Sequence, residues 1–203
     1  MIRAAGPLIV IVAALAAWTV APRGDAVVAP SAQAVERAPG LRGGALPRGL
    51  AGSAAPAIAL ADARGGRSGT AALTGRPYLV TFLYTHCRDE CPATAAAIAV
   101  ALRDLGPRAR DVGVLVVSVD PRGDTAAAAR AFLRRHDLPA SVHYLIGDGA
   151  QLRGVWRDWL VAGGGTHSLA TWLVDARGRR RAIYSGEVPA AADLTHDLAA
   201  LLD

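Results

Sequence analysis

The pattern of apolar and polar positions divides the chain into three unequal parts. Ala4 to Ala21 is an uncharged run of 18 residues, preceded by Arg3 and ended by Pro22-Arg23-Gly24. As a helix at about 1.5 Å per residue it would span roughly 27 Å, close to the hydrocarbon thickness of a bilayer. The run predicts a membrane segment over residues 1–22, retained as an anchor or removed as a signal peptide. Ala32-Gln33-Ala34 resembles a cleavage site but lies far downstream of the apolar core, which favours the anchor. Either reading puts the remainder of the chain on the extracytoplasmic side, periplasmic or cell-surface, and cleavage would make it a secreted protein. Arg23, Arg37, Arg42 and Arg48 beyond the run weaken the charge asymmetry that would fix orientation. Residues 23–56 are rich in Ala, Gly, Pro and Arg and hold no sustained period of 2 or 3.6, which predicts a flexible linker.

From Ala57 to Asp203 regular patterns return. Ala57–Asp62 and the Gly65-Gly66 turn predict a short hairpin, and Tyr78–Tyr84 is a β-rich run ending at Thr85-His86-Cys87. Helical spacing runs from Pro92 to Leu105. Val112–Val119 is a nearly unbroken apolar run of the kind buried on both faces, and Asp124–His136 is helical with Asp at its start. A strand over Val142–Ile146, a helix over Gln151–Leu160, strands over Ala170–Val174 and Arg181–Tyr184 around the turn 175–178, and a helix over Ala190–Leu202 complete the domain. The order β-α-β-α-β-α-β-β-α, with a cysteine pair where the first long strand meets its helix, predicts an α/β thioredoxin-like fold: three layers α/β/α around a mixed central sheet, with an N-terminal hairpin extension.

Composition narrows the function classes. The chain has 203 residues, room for one ordinary domain and a tail. Its 22 basic residues are all Arg and outnumber the 17 acids by 22 − 17 = 5. That excess is dispersed, with no basic face interleaved with aromatics, so no nucleic-acid partner is expected. Two cysteines, Cys87 and Cys91, exclude a disulfide-dense scaffold and any four-thiolate metal site within one chain. A bridge between such near neighbours would close a very small loop and add little stability, so chemistry explains the pair better than stapling.

Pro92 suits the first position of a helix and pushes Cys91 toward a capping geometry, which places both sulfurs at a helix N-terminus. Free N–H groups and the positive dipole end there favour thiolate, making the cysteines nucleophiles or metal ligands. Thioredoxins separate their cysteines by two residues and face them with a cis-proline. Here three residues intervene, and no Pro occurs between Pro139 and Pro189. Ahead of the strand at Ala170 the sequence instead offers Gly163-Gly164-Gly165-Thr166-His167-Ser168.

These residues resemble the Sco/SenC family of copper-binding proteins, which assist assembly of the binuclear copper centre of cytochrome c oxidase. The resemblance rests on Tyr84-Thr85-His86-Cys87-Arg88-Asp89-Glu90-Cys91-Pro92, on Ser118-Val119-Asp120-Pro121-Arg122-Gly123-Asp124-Thr125, and on His167-Ser168 followed by Leu173–Arg179, in that order. It implies that Cys87, Cys91 and His167 bind one copper ion and that the chain delivers it to the copper-bearing oxidase subunit or reduces that subunit's cysteines. Other copper chaperones or thiol reductants are the further implied partners. Two thiolates and an imidazole form a soft three-coordinate set suited to Cu(I), and to Cu(II) where a fourth weak donor is added. Two alternatives use the same pair: a thiol-disulfide oxidoreductase in which Cys87 attacks and Cys91 resolves, and a thiol redox sensor without turnover.

The chain departs from the family in carrying Arg88 where a Pro usually stands, and in the short stretch between Leu160 and His167. Other polar residues read as structural. His86 sits on the strand-end turn and is not assigned as a ligand. His136, His143 and His196 read as solvated, Asp120 and Asp124 as a turn and a helix N-cap. Trp156, Trp159 and Trp172 read as core or interface, and the arginines at 177 and 179–181 as a solvated hairpin turn.

Overall fold

The computed structural model describes residues 35–36, 38–163 and 169–203, all within the unit Ala32–Asp203. The membrane segment expected over residues 1–22 lies outside them, and no helix among the described residues is long and apolar enough to cross a membrane. In chain order the strands are β1 (Val35–Glu36), β2 (Leu46–Pro47), β3 (Ala59–Asp62), β4 (Arg67–Gly69), β5 (Tyr78–Leu83), β6 (Gly113–Ser118), β7 (Val142–Ile146), β8 (Ala170–Val174) and β9 (Arg180–Ser185). The helices are α1 (Glu90–Asp104), α2 (Ala126–Arg135), α3 (Gly149–Asp158) and α4 (Ala191–Leu202).

Every residue of β5 and β6 is buried, as their unbroken apolar character requires of strands covered on both faces. They sit at the centre of a seven-stranded sheet of order β4-β3-β7-β6-β5-β8-β9, in which β5, β6 and β7 run parallel and the remaining pairings are antiparallel. Alternate side chains separate two cores. Leu79, Leu83, Val114, Val116 and Tyr144 pack with Ile98 of α1, Phe132 of α2 and Leu194 and Leu198 of α4. Val80, Phe82, Leu115 and Val117 face Leu152, Trp156 and Trp159 with Leu46 and Leu73. The mixed three-layer α/β/α arrangement is therefore the one the element order predicts.

Local chemistry sets the helix starts, twice differently from expectation. α3 opens on a capping box in which Asp148 accepts from the N–H groups of Ala150 and Gln151 and the Gln151 side chain accepts from the Asp148 N–H. α2 is capped by Thr125, whose Oγ1 accepts from Ala128 N at 3.1 Å, and not by Asp124. α1 begins at Glu90, so Cys91 lies inside its first turn instead of at the cap. Pro92 is tolerated there because the first turn's N–H groups have no intrahelical acceptor to lose.

The segment before Ala57 departs most from expectation, since residues 38–56 are packed onto the domain. Leu46 is wholly buried and Leu41 nearly so. Gly44 bridges to Ile183 and Ala54 to Arg179 along the outer edge of β9. The buried Asp197 carboxylate accepts from Arg42 N at 2.7 Å, Gly43 N at 2.8 Å and the Tyr184 hydroxyl at 2.8 Å. A Cβ at Gly43 would lie 2.9 Å from that of Ala182, and one at Gly44 2.7 Å from the Ile183 oxygen, so glycine is what permits the approach. Held by main-chain bonds, this strap needs no hydrophobic period.

Four other polar readings change. Arg180 is buried over Trp172, 5.7 Å from the ring centre, with its guanidinium on Ser53. His143 pairs with Asp62 at 2.5 Å and His196 with Asp197 at 3.0 Å, while His136 packs on Phe132. Each offsets its polarity with a partner that lies far away in sequence or on another element, Asp197 and Phe132 excepted. Trp159 and Trp172 stack edge-on in the core.

Candidate metal and thiol centre

The central strand β5 ends at Leu83, and the turn Tyr84–Asp89 carries the chain into α1. Cys87 stands half-buried in that turn, and Cys91, one helical turn on, is completely buried. Both are free thiols. The Cys91 N–H donates to the Cys87 sulfur at 3.3 Å, so the pair expected from sequence is brought together.

Their environments are unequal. Burial alone would push the Cys87 thiol up. It is outweighed by hydrogen bonds to the sulfur from the Asp89 backbone, the Cys91 thiol and backbone, and the Tyr84 hydroxyl, so the net shift is downward. For Cys91 burial dominates and raises the thiol far above its ordinary range. A Tyr84 backbone hydrogen bond opposes this, while the Cys87 sulfur and Glu90 reinforce it. One sulfur, within reach of solvent, gives up its proton more readily than an ordinary cysteine, and the other, enclosed, holds its proton more tightly. Tyr84 touches both, through its hydroxyl and its main chain, and its hydroxyl is itself shifted upward, first by burial and then by Cys87.

The turn is held from below by Asp124. Its Oδ1 accepts from Thr85 N at 2.8 Å, and its Oδ2 from Ser118 Oγ at 2.6 Å and the Tyr144 hydroxyl at 3.0 Å. Sequence reasoning missed this role. The signal present was an acid four residues beyond a turn aspartate, and nothing local distinguishes such an acid from a cap. Asp120 keeps its expected role, accepting from the N–H groups of Arg122 and Gly123. Among the described residues one trio of potential ligands, His86, Asp120 and Asp124, has ligand atoms within 4.8 Å of one another. Asp124 has spent both oxygens on three donors, and Nδ1 of His86 lies 3.2 Å from Thr85 Oγ1, so the trio is a hydrogen-bonded support for the turn.

His167 lies outside the described residues. What is described on either side is Gly163, whose absent Cβ would fall 2.1 Å from the Trp156 ring, and Leu169, whose carbonyl accepts from Gly186 N. β8 runs antiparallel to β5 with Thr171 opposite Thr81, so the start of β8 lies beside the end of β5, where the cysteine turn begins. Two open spaces flank the turn. One of about 710 Å³ lies between Tyr84, Asp120, Arg122, Arg153 and Trp156, and one of about 360 Å³ contains Cys87 itself.

Soft sulfur donors at a solvent-accessible helix start can bind a thiophilic cation or exchange disulfides. No curated protein matches the chain. Among solved structures, ScoI of Bradyrhizobium japonicum with copper bound is 27% identical, with a TM-score of 0.62, covering 73% of this chain and 99% of that one. Apo Sco1 of Thermus thermophilus is 27% identical, with a TM-score of 0.62, covering 71% of this chain and 90% of that one. Yeast Sco1, 19% identical with a TM-score of 0.63 and covering 72% and 96%, shares the fold. The SCO1/SenC family model matches residues 51–203, from the end of the strap to Asp203, and the chain belongs to that family.

Proposed function

We propose that the chain is a copper carrier that binds one copper ion through Cys87, Cys91 and His167 and passes it to the copper-bearing subunit of cytochrome c oxidase. In this reading residues 1–22 tether the domain to the membrane on its extracytoplasmic side, and other copper chaperones or thiol reductants load or recharge it. The observation that carries the proposal is the pair of free sulfurs, one accessible and one enclosed, at the start of α1 in a SCO1/SenC chain. Two thiolates fit a soft monovalent cation, and a third neutral donor leaves the site open enough to release it. Cys87 offers the sulfur that meets an incoming ion, Tyr84 and the α1 N–H groups stabilise its charge, and Cys91 loses its proton as its sulfur becomes a ligand.

Cu(I) competition titration of the reduced chain, with X-ray absorption of the loaded form, tests this. One ion per chain is expected, with two sulfur neighbours and one nitrogen. Affinity should fall by more than about a hundredfold, the usual ceiling for removing a supporting residue, in Cys87→Ser and His167→Ala alike. A spectrum without sulfur scattering would overturn the proposal. The inequality of the two thiols also supports a second reading, a thiol-disulfide oxidoreductase with Cys87 as attacking and Cys91 as resolving sulfur. Reductase turnover intact in His167→Ala would favour it.

A further inference from the structure

The 360 Å³ cleft beside Cys87 is formed between the cysteine turn and α2. Its walls are His86, Cys87 and Arg88 on one side and Ala128, Ala131 and Arg135 on the other. Two features set it apart from an ordinary surface depression. It is lined by the more accessible cysteine of the pair, and by two exposed arginines, Arg88 and Arg135. No ion pair among the described residues involves Arg88 or Arg135. The neighbouring acids Asp89 and Glu90 are exposed and do not line the cleft, and Asp124 below the turn is committed to its three donors. Ala128 and Ala131 leave room in the cleft where longer side chains on α2 would fill it.

A cation next to a copper-binding sulfur works against arrival of a free Cu(I) ion. It favours an approaching species that is negatively charged. The geometry points to the cleft as a binding site for a carboxylate-bearing low-mass thiol, such as a glutathione-like peptide, which exchanges disulfides with Cys87. The volume lies at the small end of ligand pockets, suited to a peptide of a few residues rather than to a protein loop. Arg88 and Arg135 would engage the carboxylates, preferably through paired N–H donors, while the ligand's sulfur meets that of Cys87.

The exchange balances within the partners named. The Cys87 thiolate attacks one sulfur of the small-molecule disulfide, a protein–ligand S–S bond forms, the ligand's own S–S bond breaks, and one ligand thiolate leaves. Cys91 then gives up its proton and attacks the Cys87 sulfur, closing the protein disulfide and expelling the second ligand thiol. Two electrons pass from the protein dithiol to the ligand disulfide, and the reverse sequence recharges the dithiol. The site serves the same pair as the proposed copper function and rests on that reading only for its physiological use.

The test uses the reduced full chain without copper and three disulfide probes: oxidised glutathione (anionic), hydroxyethyl disulfide (neutral) and cystamine (dicationic). Adducts are followed by intact mass, in the wild type and in Cys91→Ser, where the mixed disulfide cannot resolve. At low ionic strength oxidised glutathione should react about tenfold faster than cystamine, and the ratio should fall toward one as salt is raised. Arg88→Ala with Arg135→Ala should abolish most of that ratio while hydroxyethyl disulfide still reacts. The ratio cancels any change in the nucleophilicity of Cys87 and any loss of folded protein. A ratio near one in the wild type, or one unchanged in the double variant, overturns the inference. Copper binding is measured separately. Charge preference without Cu(I) binding would leave this site standing and remove the carrier reading, and the converse result would do the opposite.

Discussion

Two buried carboxylates, Asp124 and Asp197, do the same chemistry at two separate places in the fold. Each accepts from main-chain N–H groups of a segment remote in sequence and from one tyrosine hydroxyl: Thr85 and Tyr144 for Asp124, Arg42, Gly43 and Tyr184 for Asp197. What differs is the segment held. Asp124 fixes the turn that presents Cys87, whereas Asp197 fixes a strap that reaches no sulfur. A buried acid with satisfied donors is therefore no mark of a functional site by itself. The element it restrains decides its role.

Removing the acceptor from the strap should have the larger effect on stability. Asp197→Ala removes the acceptor that the Arg42 and Gly43 N–H groups and the buried Tyr184 hydroxyl share, a loss of about 3 kcal/mol at typical penalties per group. Urea denaturation would show it as a lower midpoint, and Cu(I) affinity of the folded fraction should not change. If Asp197→Ala weakened copper binding as much as it weakened folding, the division between the two acids would fail.

Asp124→Asn should invert that pattern. The amide keeps the size of the carboxylate but offers one acceptor oxygen to three donors, so stability falls by about 1–3 kcal/mol and the turn above it loosens. Supporting residues of metal sites typically contribute ten- to a hundredfold in affinity, and a loss of about tenfold in Cu(I) binding is expected. Tyr144→Phe, which removes one of the donors and leaves the carboxylate in place, should move both quantities less. Equal copper affinity in Asp124→Asn and the wild type would reduce Asp124 to a second copy of Asp197.

The contrast also explains what could be read from the sequence. The sheet core was legible because β5 and β6 are buried on both faces and carry unbroken apolar runs, and the cysteine pair because its chemistry is local to one turn. The strap was not, since its attachment is made by the backbone of Arg42, Gly43 and Gly44, and main-chain bonds leave no period in the side chains. Asp124 was misread for the related reason that its partners lie 6, 20 and 39 residues away. Arg180 failed as a surface residue because Ser53 and Trp172, which make its burial tolerable, are unpredictable from the hairpin alone.

The smallest effect belongs to Tyr84, where the influence of the turn on its sulfur is confined to one hydrogen bond. The Tyr84 hydroxyl is one of several donors that hold the Cys87 thiol below its ordinary value, behind the Asp89 backbone and the Cys91 groups. Tyr84→Phe removes that donor and keeps the ring, so folding stability at neutral pH should change by less than about 1 kcal/mol. The sign at the sulfur is fixed. Losing a donor to the thiolate disfavours the charged form, so the pH midpoint for alkylation of Cys87 by iodoacetamide should move upward, toward that of an unstructured thiol. Linkage adds a second readout. An acid whose folded value is depressed stabilises the fold above the unfolded thiol's value, and that contribution disappears as the pH falls through the folded one. The variant should therefore be destabilised relative to wild type at alkaline pH and converge with it toward acid. Cys91 should stay unlabelled in the folded protein throughout, its burial intact. An alkylation midpoint that stays put, or moves downward, would show that the main-chain donors alone set the reactivity of Cys87.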